Sequence, residues 1–497
     1  MPLRLISARL RRERRHGQAA SADRGAPAAG GHTLSLRGGP AARLARLPAL
    51  RSRVPARYRP ALAFETCYNV GTGAFISLFL LSAVVLKTIL GGTQVDLAIL
   101  AALFGGSSLF SPIVSYCGRT VPMKTMVTWP TVLAAGLLVA TAAPFGGPRL
   151  FAVVVGLAFV VRVFPRVAEM NMYRVVYPVT HRGSAVGWLK AVAAVSAFAV
   201  TLMGYWWFSV QPRLYWLVYW FVAALLVAGV IAYARIPVSR RNIFERRDRT
   251  SPSRAFLEGW RIFVSDRRFL MYQIGFSLAG FANHMAMIYV AEILTENVLA
   301  RRAADAASAT GGAAGGGWSA GLSATVVVGF VFAVLPVLLM MVSAPFWGRF
   351  LDRVSPMAGR SVFNSLQAVA FALHAWGAVS VQVWPFLVGS ALHAIGNGGG
   401  TINWLTGSLY FATPERISLY NAIHVALTGL RGLVAPLVGW YLIAETIDLP
   451  VFGTRPGAHL GGGLFWLAAA LSAAGAIAMA AQAATDPGPR ERRGSSA

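Results

Sequence analysis

Arg162, Arg166 and Glu169 stand at i, i+4 and i+7, so on a helix they fall on one face of an otherwise apolar run. A guanidinium offers a planar fork of donors that suits carboxylate or phosphate, and a neighbouring carboxylate can pair with it or carry a proton. A second stripe, His393, Asn397, Thr401 and Trp404 at i, i+4, i+8 and i+11, lines another apolar run with hydrogen-bonding groups, and Gln273 and His284 share a face on a third. Histidine titrates near pH 6.5 when unperturbed, which makes His284 and His393, with Glu169, candidate proton carriers. A plainer reading stays open: Arg166 and Glu169 form an interfacial pair, Arg162 snorkels, and each histidine bonds a neighbouring helix. Cys67 and Cys117 are isolated and no His or Cys cluster has metal-ligand spacing, so neither a metal nor an organic cofactor is expected.

The elements that must hold these side chains are long and apolar. Of 497 residues, 56% are hydrophobic and only 13% charged, well short of the charge a soluble domain carries. Apolar runs of about twenty residues match helices crossing a hydrocarbon core of roughly 30 Å, and unbroken runs of that length exclude strands. The expected spans are 63–87, 94–116, 125–145, 150–171, 184–209 and 214–235, then 269–293, 323–347, 361–380, 384–408, 418–443 and 460–481. An arginine at the bilayer centre costs about 2.5–3.5 kcal/mol on insertion scales, so Arg162 should face water, an acid or a substrate.

A formal net charge of +27 would suggest nucleic acid in a soluble chain, but here arginine collects in the N-terminal tail and in alternate loops. That is the positive-inside pattern, and it argues for a lipid bilayer and against a nucleic-acid partner. It places both termini and the 237–268 linker in the cytoplasm of a cell with this protein in its inner membrane, and the Ala/Gly-rich loop from Ala300 to Leu322 outside. In the linker, Phe256, Leu257, Trp260, Phe263 and Val264 recur at helical spacing, which fits an interfacial helix or an amphipathic helix packed on the bundle.

The chain also repeats itself. Arg119 and Pro122 match Arg353 and Pro356, each pair 234 positions apart, and Arg182 and Arg416 keep that offset. Tyr68-Asn-Val-Gly71 matches Tyr272-Gln-Ile-Gly275 at 204 positions, and the extra loop at Ala300 to Leu322 accounts for the change. Two halves in the same order imply a parallel repeat about an axis along the membrane normal.

With twelve spans, this repeat and Gly348-Arg-Phe-Leu-Asp352-Arg353 in the turn after the eighth span, the chain from Ala63 to Ala481 resembles the major facilitator superfamily. The match departs from that superfamily's G-x-x-x-D-R-x-G-R-[KR] loop after Arg353, where Ser355-Pro356 follows, and in the first half, where Gly118 stands at the acid position. The resemblance implies an all-α polytopic fold of two six-helix bundles, 61–236 and 269–483. They lie between an Arg-rich tail at 1–60, the linker, and a C-terminal tail at 484–497, and both tails are expected to be disordered. It also implies a central cavity lined by the first, fourth, seventh and tenth spans. The candidate substrate ring is then Asn69, Arg162, Arg166, Gln273, His284, His393, Asn397 and Trp404, with Gly348, Asp352, Arg353 and Arg119 serving conformational exchange. Arg431 has no assigned role.

The expected function is transport of a small solute by a monomer through alternating access. The positive cavity favours an organic anion, and a neutral polar solute such as a sugar is the alternative. No Gly-Pro pair occurs in Gly187 to Trp207, against a proton-driven drug exporter. The loop at Ala300 to Leu322 holds one acid, Asp305, against a membrane glycosyltransferase, and Gly398 to Asn403 holds no serine, against an intramembrane serine protease. A transporter-like sensor or scaffold stays open.

Overall fold

The computed structural model describes residues 55–111, 114, 121–142, 147–177, 179–236, 252–309, 324–351, 353–412, 417–449 and 453–485. The first half holds α1 (Arg59–Val84), α2 (Gln94–Gly106), α3 (Met123–Ala140), α4 (Gly147–Val161), α5 (Val163–Val176), α6 (Val179–Val210) and α7 (Trp216–Ala234). After α8 (Pro252–Ser265) in the linker come α9 (Arg267–Ala286), α10 (Leu335–Leu351), α11 (Pro356–Ser380), α12 (Trp384–Thr406), α13 (Ile417–Ile443) and α14 (Gly463–Thr485). Among the described residues, ten helices are long and apolar enough to cross a membrane. Gln94–Phe110 is apolar but shorter. The helix Trp384–Thr406 is outside the ten because His393, Asn397, Thr401 and Asn403 dilute its hydropathy. The fold is thus all-helical and multi-pass, apart from a hairpin of β1 (Thr446–Leu449) and β2 (Gly453–Pro456).

Local chemistry sets several helix ends. Thr93 and Asp96 form a capping box that starts α2, with Thr93 N–H donating to Asp96 Oδ2 at 2.8 Å. Ser355 Oγ accepts from Ala358 N–H at 3.2 Å, and Pro356 follows at the first helical position, where its missing N–H costs nothing.

Two expectations change. The fourth span is broken at Arg162 between α4 and α5; Pro165 lacks the N–H that would bond Val161, and its ring crowds that carbonyl. The loop expected from Ala300 does not begin there, because the seventh span runs on through Leu294–Leu299 into a helix, Ala300–Ala309, of Ala-rich sequence with high helix propensity. The tails are shorter than expected, since helix begins at Ala56 and the last helix runs to Thr485; residues 1–54 and 486–497, the remainder of that loop, Arg119 and Asp352 lie outside the described residues.

Packing follows one scheme in each half. In the first, α1 packs on α6 and α7, α3 on α4 and α7, and α2 on α4; in the second, α9 packs on α13 and α14, α11 on α12 and α14, and α10 on α12. Between the halves, α2 meets α13 and α6 meets α10. The first of these crossings depends on Gly105 and Gly432, whose backbones touch so closely that neither has room for a Cβ. The linker helix α8 packs on α9 and α13 through Ile262 and Phe263, and it leaves Leu257, Trp260 and Val264 exposed.

Candidate functional site

The bundle has a linker end, where α8 lies, and a distal end. Mid-depth in the first half, Arg162 is held at the α4–α5 break. One of its terminal nitrogens donates to Tyr68 Oη at 2.8 Å and Thr131 Oγ1 at 2.6 Å, and the other donates to Thr72 Oγ1 at 3.0 Å. Its guanidinium also lies 5.5 Å from the Tyr68 ring centre and 5.6 Å from that of Phe75. Tyr68 Oη then donates to Glu169 Oε1 at 2.8 Å. Arg162 and Glu169 are thus joined only through the tyrosine hydroxyl, which stands between the charges, and every partner is buried.

Glu65, which sequence reasoning passed over, is fully buried one helical turn away. Its Oε2 accepts from Tyr177 Oη at 2.6 Å, and its Oε1 has no partner. Asn69 is buried and turns back on its own helix, donating one Nδ2 hydrogen to the Glu65 carbonyl at 2.9 Å.

Arg166 behaves differently. It is exposed although it sits a turn from buried Arg162, it has no carboxylate within ion-pair distance among the described residues, and its guanidinium lies 4.7 Å from the ring centre of Trp404 on α12. Asn397 and Thr401 on α12 are exposed as well. Arg166 and this exposed polar stripe therefore lie on facing helices of the two halves, in contact at Arg166 and Trp404.

In the second half, Gln273 and His424 are buried and bond each other at 3.1 Å between α9 and α13. Trp404 Nε1 donates to Thr428 Oγ1 at 3.3 Å. His393 is buried against Phe371, and its Nδ1 is without a partner, so it faces α11, away from the exposed part of its stripe. His284 is half-buried. Two arginines, Arg360 on α11 and Arg431 on α13, stand 4.1 and 4.3 Å from the ring centre of Phe276. Arg360 gave no sequence signal because it sits four residues after Pro356 and reads as part of a basic turn.

At the distal end, Lys87, just past α1, bonds Glu292 at 2.7 Å and also contacts Glu296, both beyond α9. The Lys87 and Glu292 side chains are 8% and 3% exposed, so this pair joins the two halves out of water. Gly348 has open space where a Cβ would lie, and Arg353 is exposed. Among the described residues no group of three His, Cys, Asp or Glu side chains could hold a metal.

No protein-family profile matches the chain, and no curated protein matches its sequence. Its shape does have relatives among solved structures. The nucleoside transporter NupG, in a mutant form, superposes with a TM-score of 0.60 at 12% identity over 84% of this chain and 98% of that one. A mutant peptide transporter POT gives 0.62 at 9%, over 84% and 93%. A POT family transporter in complex with 5-aminolevulinic acid gives 0.57 at 10%, over 85% and 96%. The chain shares the all-helical fold of these transporters, and at these identities the similarity concerns architecture. That fold accounts for the two similarly packed sets of helices, with contacts between them at α2–α13 and α6–α10.

Proposed function

We propose that the protein is a secondary transporter that carries a small organic anion by alternating access between two six-helix bundles, 61–236 and 269–483, related by the parallel repeat. The observation that carries this reading is Arg166: an exposed cation inside the bundle, without a carboxylate partner among the described residues, stacked on a tryptophan of the other half. A guanidinium in a site of low dielectric favours an anion that it can bind through its fork. The nearest carboxylates are already engaged, Glu169 by Tyr68 and Glu65 by Tyr177.

In this reading the linker end faces the cytoplasm of a bacterial inner membrane, and the buried Lys87–Glu292 pair closes the opposite side. Arg162 positions Tyr68 and thereby Glu169, while Arg166 and Asn397 meet the substrate with Trp404 as the stacking face. Glu169, with His284 and His393, is a proton-coupling candidate. Gly348, Asp352, Arg353 and Arg119 serve the exchange between states, in which the open space at Gly348 closes. A neutral polyol is the second reading, supported by exposed Asn397 and Thr401.

Thermal melting of the purified protein against a set of carboxylates and sugars tests the choice. Carboxylates should stabilise the wild type and lose that effect in Arg166→Gln. Stabilisation by sugars alone would reject the anion. Counterflow in proteoliposomes tests transport itself, and its absence with a stabilising ligand would leave a sensor.

A further inference from the structure

Arg360 and Arg431 make no ion pair with a described carboxylate, yet they are only 7% and 8% exposed, and the Nε of each is buried without a hydrogen-bond partner. Among the described residues Arg431 makes one hydrogen bond, from a terminal nitrogen to the Phe276 carbonyl at 3.1 Å. Both guanidiniums lie over the same Phe276 ring. Two like charges beside one ring, taken out of water, are unfavourable unless something neutralises them.

The chain makes room for the pair. A Cβ on Gly280 would collide with the Arg431 guanidinium, and a Cβ on Gly400 would come within 3.3 Å of Arg360 Nη1. Gly400 stands three residues after Asn397 and one before Thr401, both exposed, so Arg360 lies beside the exposed polar stripe of α12. The two sites are also linked by rings: Arg166 stacks on Trp404, whose ring centre is 5.9 Å from that of His424, which is 4.6 Å from that of Phe276.

We infer that Arg360 and Arg431 form a second anion subsite in the C-terminal half, so that the substrate carries two negative charges, as a dicarboxylate or a phosphate monoester does. The inference rests on the anion reading above and adds the charge number and the residues that count it. A dicarboxylate puts one carboxylate at Arg166 and the other between the two guanidiniums, whereas a phosphate monoester, with both charges on one group, is received between the two guanidiniums; the Gln273–His424 pair fixes the helices that carry them.

Affinities of the purified full chain, read from thermal shifts at pH 7.5, test it with glutarate, butyrate and glycerol phosphate. Either dianion should bind at least about tenfold more tightly than butyrate, the scale of one charge-assisted bidentate contact. Arg360→Gln and Arg431→Gln should each bring the dianion down toward butyrate while leaving butyrate within about twofold. Because the dianion-to-monoanion ratio is measured on the wild type, the inference stands or falls even where a variant does not fold. Equal affinity for glutarate, glycerol phosphate and butyrate would overturn the second subsite and leave an anion transporter; no stabilisation by any of the three would overturn both readings.

Discussion

Removing Lys87 should open the distal side. In the structure its ammonium lies 2.7 Å from Glu292 and also contacts Glu296, and the Glu292 side chain is 3% exposed whereas that of Glu296 is 50% exposed. Lys87→Met therefore leaves Glu292 buried and unpaired, a loss of about 3–5 kcal/mol in the closed state. When the halves separate, Glu292 meets water and the loss vanishes, so nearly all of it shifts the equilibrium toward the distal-open state. At 1.4 kcal/mol per factor of ten, that is at least about 100-fold. Glu292→Gln should do less, because Lys87 keeps Glu296, and Lys87→Met with Glu292→Met should return most of the shift, since no charge is then buried. The assay places a cysteine at Asn397 in a background with Cys67→Ser and Cys117→Ser, and follows its labelling rate by an impermeant thiol reagent added from the distal side. An unchanged rate in Lys87→Met, or a larger effect in Glu292→Gln than in Lys87→Met, would refute the reasoning.

The remaining predictions concern the interior and the topology. Tyr68→Phe removes one hydroxyl that serves both Arg162 and Glu169, and should cost about 1–3 kcal/mol in stability, read as a lower melting temperature with carboxylate binding retained. Gly432→Val, at the α2–α13 crossing where Gly105 leaves no space, should stop proteoliposome counterflow while substrate binding stays within a few-fold; normal transport would show that this crossing does not have to move. Asp352→Asn should likewise depress transport without a large loss of binding. A single cysteine at Gly315 should label from outside the cell, and labelling only from the cytoplasm would invert the proposed orientation.

The transmembrane architecture was legible because the bilayer imposes length and apolarity on every span, and those properties survive in any one sequence. The likeness of Tyr68-Asn-Val-Gly71 to Tyr272-Gln-Ile-Gly275 falls at helix contacts: Gly71 lies against the α7 backbone and Gly275 against Met479 of α14. The break at Arg162 was written in the sequence as Pro165 but was passed over, since a proline within a span is often tolerated by local adjustment. The length of the seventh span was misjudged for the opposite reason: Ala300 to Ala309 is polar enough to read as loop, yet its alanines favour continued helix beyond the lipid.

The site was legible only along single helices. Spacing puts Arg162, Arg166 and Glu169 on one face of an ideal helix, but it does not say that Tyr68 from another helix stands between two of them, or that one arginine is bonded to three oxygens while its neighbour a turn away is exposed. Glu65 and Lys87 carry no local pattern, because their partners Tyr177 and Glu292 are more than a hundred residues away. Arg360 is the sharpest case. At the start of a helix, after a basic turn, it has the sequence context of a cytoplasmic anchor, and its long side chain instead reaches Phe276 inside the bundle. A guanidinium on a flexible stem can act several ångströms from its backbone, so in this fold the charge that reaches the interior is assigned by which glycine leaves room for it, Gly400 for Arg360 and Gly280 for Arg431.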